Sequence, residues 1–324
     1  MSARHFIVGF LLLALVLAAS SARLQAQVNP CLTRTVPVNV TTNDYRVVSG
    51  LTSANFRGKY RGQPVDIISV KYDTGPRRVV IVLDASTSMQ YAWEAEIATA
   101  QNLVFQSPPK DTFAVLSFAE GPNFRRIEFG QDRHAVINGL ASLAGMDQPH
   151  SKTAILDALV EAVNMLPPQS TGNAVLLISD GLDNASRSRP RGVESTIITS
   201  GVRLFALIIP DPLIPRWTAM EEDRARDLPK TIQAVGGDSL TLAHNEAVPS
   251  QFALDFRKLT EQDRKNMASA ASALGREISE FYAVEVKLPE AVDKPRDWQL
   301  EVVGDIPEKQ HLRVVYPHRL APCQ

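Results

Sequence analysis

An aspartate and two serines at alternate positions, Asp84, Ser86 and Ser88, follow directly on the apolar run 79–83. Such a run reads as a buried strand, which delivers one carboxylate and two hydroxyls to its end. Two more oxygens come from farther along: Thr153, which opens the apolar-periodic stretch 153–166, and Asp180, which closes a second apolar run, 174–179. Together the five supply two carboxylates and three hydroxyls, without imidazole or thiolate. Hard oxygen donors suit Mg²⁺, or alternatively Mn²⁺ or Ca²⁺, whereas zinc centres usually recruit His or Cys. The expected metal ligands are therefore Asp84, Ser86, Ser88, Thr153 and Asp180. Helix capping is the competing reading, because Ser, Thr and Asp also satisfy free backbone N–H groups at helix starts.

Nothing in the sequence favours catalysis. There is no Gly-x-Ser-x-Gly, no His-Glu-x-x-His, and no candidate base reliably adjacent to Ser86 or Ser88. No catalytic residue is assigned, and a protein that is not an enzyme is expected.

Strand and helix patterns alternate around these residues. Helices are expected at 91–106, 132–143 and 153–166, and strands at 111–118, 124–129, 174–179 and 202–209. Such alternation implies a doubly wound α/β fold, with a mostly parallel sheet covered on both faces. Asp84 and Asp180 would then both lie at carboxyl ends of strands, where open α/β sheets bind ligands.

The series Asp84-x-Ser86-x-Ser88, then Thr153, then Asp180 closely resembles the metal-ion-dependent adhesion site of the von Willebrand factor type A domain. Thr153-Ala-x-x-Asp157-Ala158 and Ser179-Asp180-Gly181 extend the likeness, which spans about 77–210. The resemblance implies a Mg²⁺-dependent, adhesion-type module that captures an Asp or Glu of a protein partner. Ligation through neutral hydroxyls leaves the cation electrophilic, and Asp84 and Asp180 often act partly through coordinated water in this family. Asp157 resembles a position that supports the loop, whereas Asp183 reads as a turn residue. The sequence departs from the family in having His150-Ser-Lys152 where a glycine commonly precedes the threonine. Lys152 is expected to point to solvent.

Flanking segments read as β-rich. Period-two alternation at 35–40, 45–48, 56–60 and 65–70 signals short strands. The stretch from Val47 to Phe56 resembles the Gly-Leu-Thr-x-x-Asp-Phe lead-in of a bacterial group of exported von Willebrand A-related proteins, with Asn55 in place of the acid. A charged block, 221–227, reads as a solvated surface helix. After a turn at Gly236-Gly237, an edge strand at 239–242, a helix at 261–281 and strands at 282–288, 298–303 and 312–316 complete the chain. These last strands are expected to join the amino-terminal ones in a small β-sandwich-like layer. The division expected is 1–26 as an export signal, 27–76 as a β-rich lead-in, 77–250 as the α/β domain, and 251–324 as a helix and strands packing with the lead-in.

Composition is ordinary for a globular protein, with 44% hydrophobic and 21% charged residues. A net charge of −1 and the absence of dense Lys/Arg runs exclude a broad nucleic-acid surface. Arg4 and the apolar stretch 6–19, followed by small and polar residues, read as a cleavable signal peptide, too short for a comfortable membrane span. An uncleaved anchor is the other reading. A periplasmic or extracellular location follows from export, and there Cys31 and Cys323, the only cysteines, are expected to pair. Their spacing equally allows two free or intermolecular thiols. Three functions compete on these grounds: an exported metal-dependent binding module, a metal-independent subunit of an envelope or secretion assembly, and a metal-dependent hydrolase.

Overall fold

The computed structural model describes residues 31–120, 124–145, 152–168, 170–210, 219–242, 259–306 and 312–323. The expected signal segment and His150 lie outside these residues.

The centre of the molecule is a six-stranded sheet. Its strands are β4 (Arg78–Asp84), β5 (Thr112–Phe118), β6 (Arg125–Ile127), β7 (Asn173–Ser179), β8 (Arg203–Ile208) and β9 (Ser239–Thr241). They lie in the order β6-β5-β4-β7-β8-β9, all parallel except β6 at one edge. β4 is paired on both sides, with Ile81 opposite Val115 of β5 and Leu176 of β7. The chain therefore leaves β4 for one side of the sheet and later returns at β7 on the other, which opens a crevice between the carboxyl ends of these two strands.

Continuous apolar runs are required because both faces of the sheet are covered. Val79, Ile81 and Leu83 face one layer of helices: α1 (Trp93–Gln106), α2 (Arg133–Ala144) and α6 (Glu261–Ser279). Val80 and Val82 face the other: α3 (Ile155–Asn164), α4 (Pro190–Ser200) and α5 (Ala219–Ala234). The charged block 221–227 belongs to α5, which continues through Pro229 because Leu228 and Ile232 bury against the sheet in its last turns. The turn after α5 needs glycine for a steric reason. A Cβ on Gly237 would sit 1.6 Å from the carbonyl oxygen of Leu204.

Both ends of the described chain build a second, antiparallel sheet in the order β12-β1-β10-β3-β2-β11-β13. These strands are β1 (Thr33–Thr42), β2 (Phe56–Tyr60), β3 (Gln63–Asp73), β10 (Phe281–Lys287), β11 (Arg296–Val302), β12 (Leu312–Val315) and β13 (Arg319–Leu320). It is one continuous sheet curled around its own core of Val38, Phe56, Tyr60, Val284 and Trp298, in place of a two-layer sandwich. β1 makes it continuous, pairing with β10 through its first half and with β12 through its second. The strand expected at 45–48 does not form. Tyr45 turns the chain with φ 62°, and only the single bridge between Thr41 and Val47 remains. Asn55 bonds as an acid would there, accepting from the Thr52 amide at 3.0 Å.

Cys31 and Cys323 are joined in a disulfide, with Cα atoms 5.3 Å apart. The two ends of the described chain therefore meet on the second sheet.

Candidate metal centre

Asp84 stands at the carboxyl end of β4 and is fully buried. Its Oδ1 accepts the Ser86 amide at 3.0 Å, forming a tight local turn, while its Oδ2 accepts the Ser179 hydroxyl at 2.6 Å across the crevice. A 3₁₀ turn, Thr87–Met89, begins directly after Ser86 and brings the Ser86 and Ser88 hydroxyl oxygens to 3.1 Å. Asp180 closes β7, and its Oδ1 accepts the Leu182 amide at 2.9 Å. Gly181 between them has φ 83°, a left-handed conformation that glycine adopts without steric cost.

Thr153 is buried and clamped through its backbone. Its amide donates to Asn184 Oδ1 at 2.9 Å, and its carbonyl accepts the amides of Asn184 and Ala185, both at 3.0 Å. The loop after Asp180 thus holds the start of α3. Asp183 Oδ2 accepts the Leu156 amide at 2.9 Å and so caps α3. Asp157 in turn accepts the amides of Arg187 and Ser188 at 3.0 and 2.9 Å, bracing the same loop from the helix side. Lys152 is exposed.

The electrostatics are those of crowded carboxylates. Burial, and then the negative charge of Asp180, pushes the Asp84 carboxyl up to about 7. Beneath Asp84 lies a third carboxylate that the sequence reading passed over. Glu96 of α1 is fully buried, and its Oε1 accepts the Asp84 amide at 2.8 Å. Its Oε2 has no hydrogen-bond partner among the described residues. Burial, then Asp84, holds its carboxyl well above the ordinary range. Ser179 was likewise overlooked as a partner of Asp84. Its place beside Asp180 in Ser-Asp-Gly was visible, but its bond across the crevice required the pairing of β4 with β7.

Desolvated carboxylates that repel one another, beside two serine hydroxyls paired with each other, form a donor set that fits a hard divalent cation. A cavity of about 940 Å³ lined by Lys59, Arg191, Trp298 and Arg319 runs between α4, α5 and the second sheet and includes none of the five expected ligands.

The stretch that carries β4, β7 and both aspartates matches a family profile. Residues 79–182 match the von Willebrand factor type A domain. Solved structures with a similar course include an aerotolerance-related membrane protein from Bacteroides fragilis, 19% identical over 62% of this chain and 98% of that one, with a TM-score of 0.44. A von Willebrand factor type A protein from Catenulispora acidiphila is 12% identical over 90% of this chain and 75% of its own, with a TM-score of 0.44. Proximal thread matrix protein 1 from the mussel byssus, with a zinc-occupied adhesion motif, is 14% identical over 67% of this chain and 50% of its own, with a TM-score of 0.47. Comparison with curated proteins gives no match. In this von Willebrand A domain the strand order, with its switch between β4 and β7, sets Asp84 beside Asp180.

Proposed function

We propose that this protein is an exported protein-binding module in which Asp84, Ser86, Ser88, Thr153 and Asp180 hold Mg²⁺ and present it to an Asp or Glu of a protein partner. The observation that carries this reading is the meeting of two buried carboxylates, Asp84 and Asp180, with paired serine hydroxyls at the end of the β4–β7 crevice. A divalent cation bound there would supply an open coordination position for the partner's carboxylate. Asp84 and Asp180 supply the negative charge, and the Ser86 and Ser88 hydroxyls add oxygen without further charge. Asp183 and Asp157 keep the Thr153 loop in place.

Export is part of the same proposal. Residues 1–26 would direct it, and the pairing of Cys31 with Cys323 suits an oxidising compartment. No helix among the described residues is long and apolar enough to cross a membrane. We assign 27–76 and 281–324 to the curled sheet, and 77–250 together with α6, which packs on the central sheet and not with the lead-in as expected, to the binding domain.

The test is a pull-down from envelope extract with Mg²⁺ and with chelator, followed by affinity measurements on the captured partner. Thr153→Ala is expected to weaken binding at least tenfold while shifting the melting temperature little. Binding that survives chelation and ignores Thr153→Ala sinks the adhesion mechanism and leaves a metal-independent structural subunit.

A further inference from the structure

The cavity of about 940 Å³ runs between α4, α5 and the curled sheet, and ligand clefts form preferentially at such junctions. Its own carboxylates are already matched. Glu194 of α4 and Asp297 of β11 share Arg319, at 2.6 and 2.8 Å, and Asp227 of α5 meets Lys230 at 3.1 Å. Two cations are left over. Lys59 on the sheet side and Arg191 on the helical side are exposed, and neither belongs to an ion pair among the described residues. The cleft thus carries positive charge that the folded chain does not use. Two further features set it apart from ordinary charged surface. Its sheet wall holds aromatic rings in contact, with Trp298 edge-on to Tyr316 at 5.5 Å between centroids and Tyr316 at 4.6 Å from His318. Arg61, at the tip of the β2–β3 hairpin beside the cleft, has φ 51°, a conformation that Gly or Asn adopts at lower cost. A strained residue kept at a cleft edge points to a role for its side chain.

We propose that this cleft is a second binding site, which takes an extended acidic segment of a protein partner. None of the five expected metal ligands lines it, so it works without the metal centre. The unmatched Lys59 and Arg191 call for an anion with carboxylates at more than one position. The lining of Trp298, Tyr316 and arginine favours a peptide over a simple inorganic anion, because these residue types dominate protein-binding hot spots. Carboxylates of the segment would pair with Lys59 and Arg191, and its apolar parts would rest against the aromatic wall. Because the two walls belong to the binding domain and to the curled sheet, an occupied cleft also ties the two together.

The experiment is fluorescence anisotropy of fluorescein-labelled decapeptides on the full chain in EDTA, so that the metal centre takes no part. One peptide alternates Glu with Ser, and the other has Gln in place of every Glu. The Glu peptide is expected to bind at least about tenfold more tightly, with an advantage that shrinks as salt is added. Lys59→Glu combined with Arg191→Glu is expected to remove the advantage. The same charge change at Arg264 and Lys265, on the helix α6 that packs against the opposite face of the central sheet, is expected to leave it intact. All four positions are exposed, and melting curves check that both double variants fold. Equal binding of the two peptides by the wild type, or equal losses in the two double variants, overturns the proposal. Tighter binding of polygalacturonate than of the Glu peptide, per carboxylate, overturns the peptide and gives the cleft to an acidic glycan. A Glu peptide that binds only when Mg²⁺ replaces EDTA overturns the second site and supports the metal centre instead.

Discussion

The guanidinium of Arg203, at the start of β8, lies 4.3 Å from the ring centroid of Phe281, the first residue of β10. One aromatic ring therefore joins the central sheet to the curled sheet. Arg77, just ahead of β4, lies over the same ring at 4.2 Å. Both arginines are buried and donate to the last carbonyls of α6: Arg203 to Glu277 and Ile278 at 3.0 and 2.7 Å, and Arg77 to Ser279 at 2.9 Å. Helix C-terminal carbonyls have no partner within the helix and carry partial negative charge, so two cations there replace the missing donors. Arg203→Met is expected to destabilise the protein by about 1–3 kcal/mol, because it strands the buried Ile278 carbonyl, whereas that of Glu277 keeps the Asn39 side-chain amide. Arg203→Lys is expected to recover little, since an ammonium lacks the planar fork. Urea unfolding of the three proteins checks both expectations, and Arg203→Met stability equal to wild type would refute the junction.

Stability is expected to fall as pH rises towards neutrality because of Glu277. This residue faces Arg313, Arg203 and Asp238. Burial and then Asp238 outweigh the two cations and raise its carboxyl from 4.5 to about 7. The folded state therefore holds a proton that the unfolded state releases, so the contribution is complete below about pH 4.5 and lost by about pH 7. Its size is about 3 kcal/mol, from about 1.4 kcal/mol per unit. Glu277→Gln is expected to flatten this part of the profile, which melting curves from pH 4 to 8 would reveal. Equal slopes for the two proteins would count against it.

Metal should raise the melting temperature by mass action. At a hundred times Kd the gain is about 2.7 kcal/mol, and Asp84→Ala is expected to abolish it. Calorimetry with Mg²⁺, with Mn²⁺ and with chelator decides. No shift for the wild type at millimolar metal would leave the five residues as caps.

The disulfide closes a loop with a sequence separation of 292 between its cysteines. Replacing both by serine is expected to cost on the order of 4 kcal/mol, because closing so long a loop removes much unfolded-state entropy. Denaturant titration of the double variant, beside reduced wild type, checks it. A difference below 1 kcal/mol would show that β1 and the chain end stay paired without the bond.

The metal-binding reading was legible because its signals are local. Asp84 and Asp180 each terminate an uninterrupted apolar run, and the short spacing of Ser86 and Ser88 follows from a tight turn after a strand. Doubly wound architecture was legible for the same reason, since alternating run types need no knowledge of what pairs with what. Other local signals misled. Alternation at 45–48 suggested a strand, but Tyr45 turns the chain before a ladder can form.

By itself, then, the sequence determined the elements of the α/β domain, their class and the oxygen-rich strand ends. Tertiary structure decided which ends meet. The order β5-β4-β7 puts Asp84 beside Ser179, 95 residues away, and the packing of α1 slides Glu96 beneath Asp84. A glutamate in the first turn of a helix reads from its neighbours as a surface residue, because desolvation and charge repulsion depend on groups brought close only by folding. Arg77, Arg203 and Phe281 carry no shared pattern either, although they join the two sheets. Their cost and their value both arise from burial, which chain spacing does not encode.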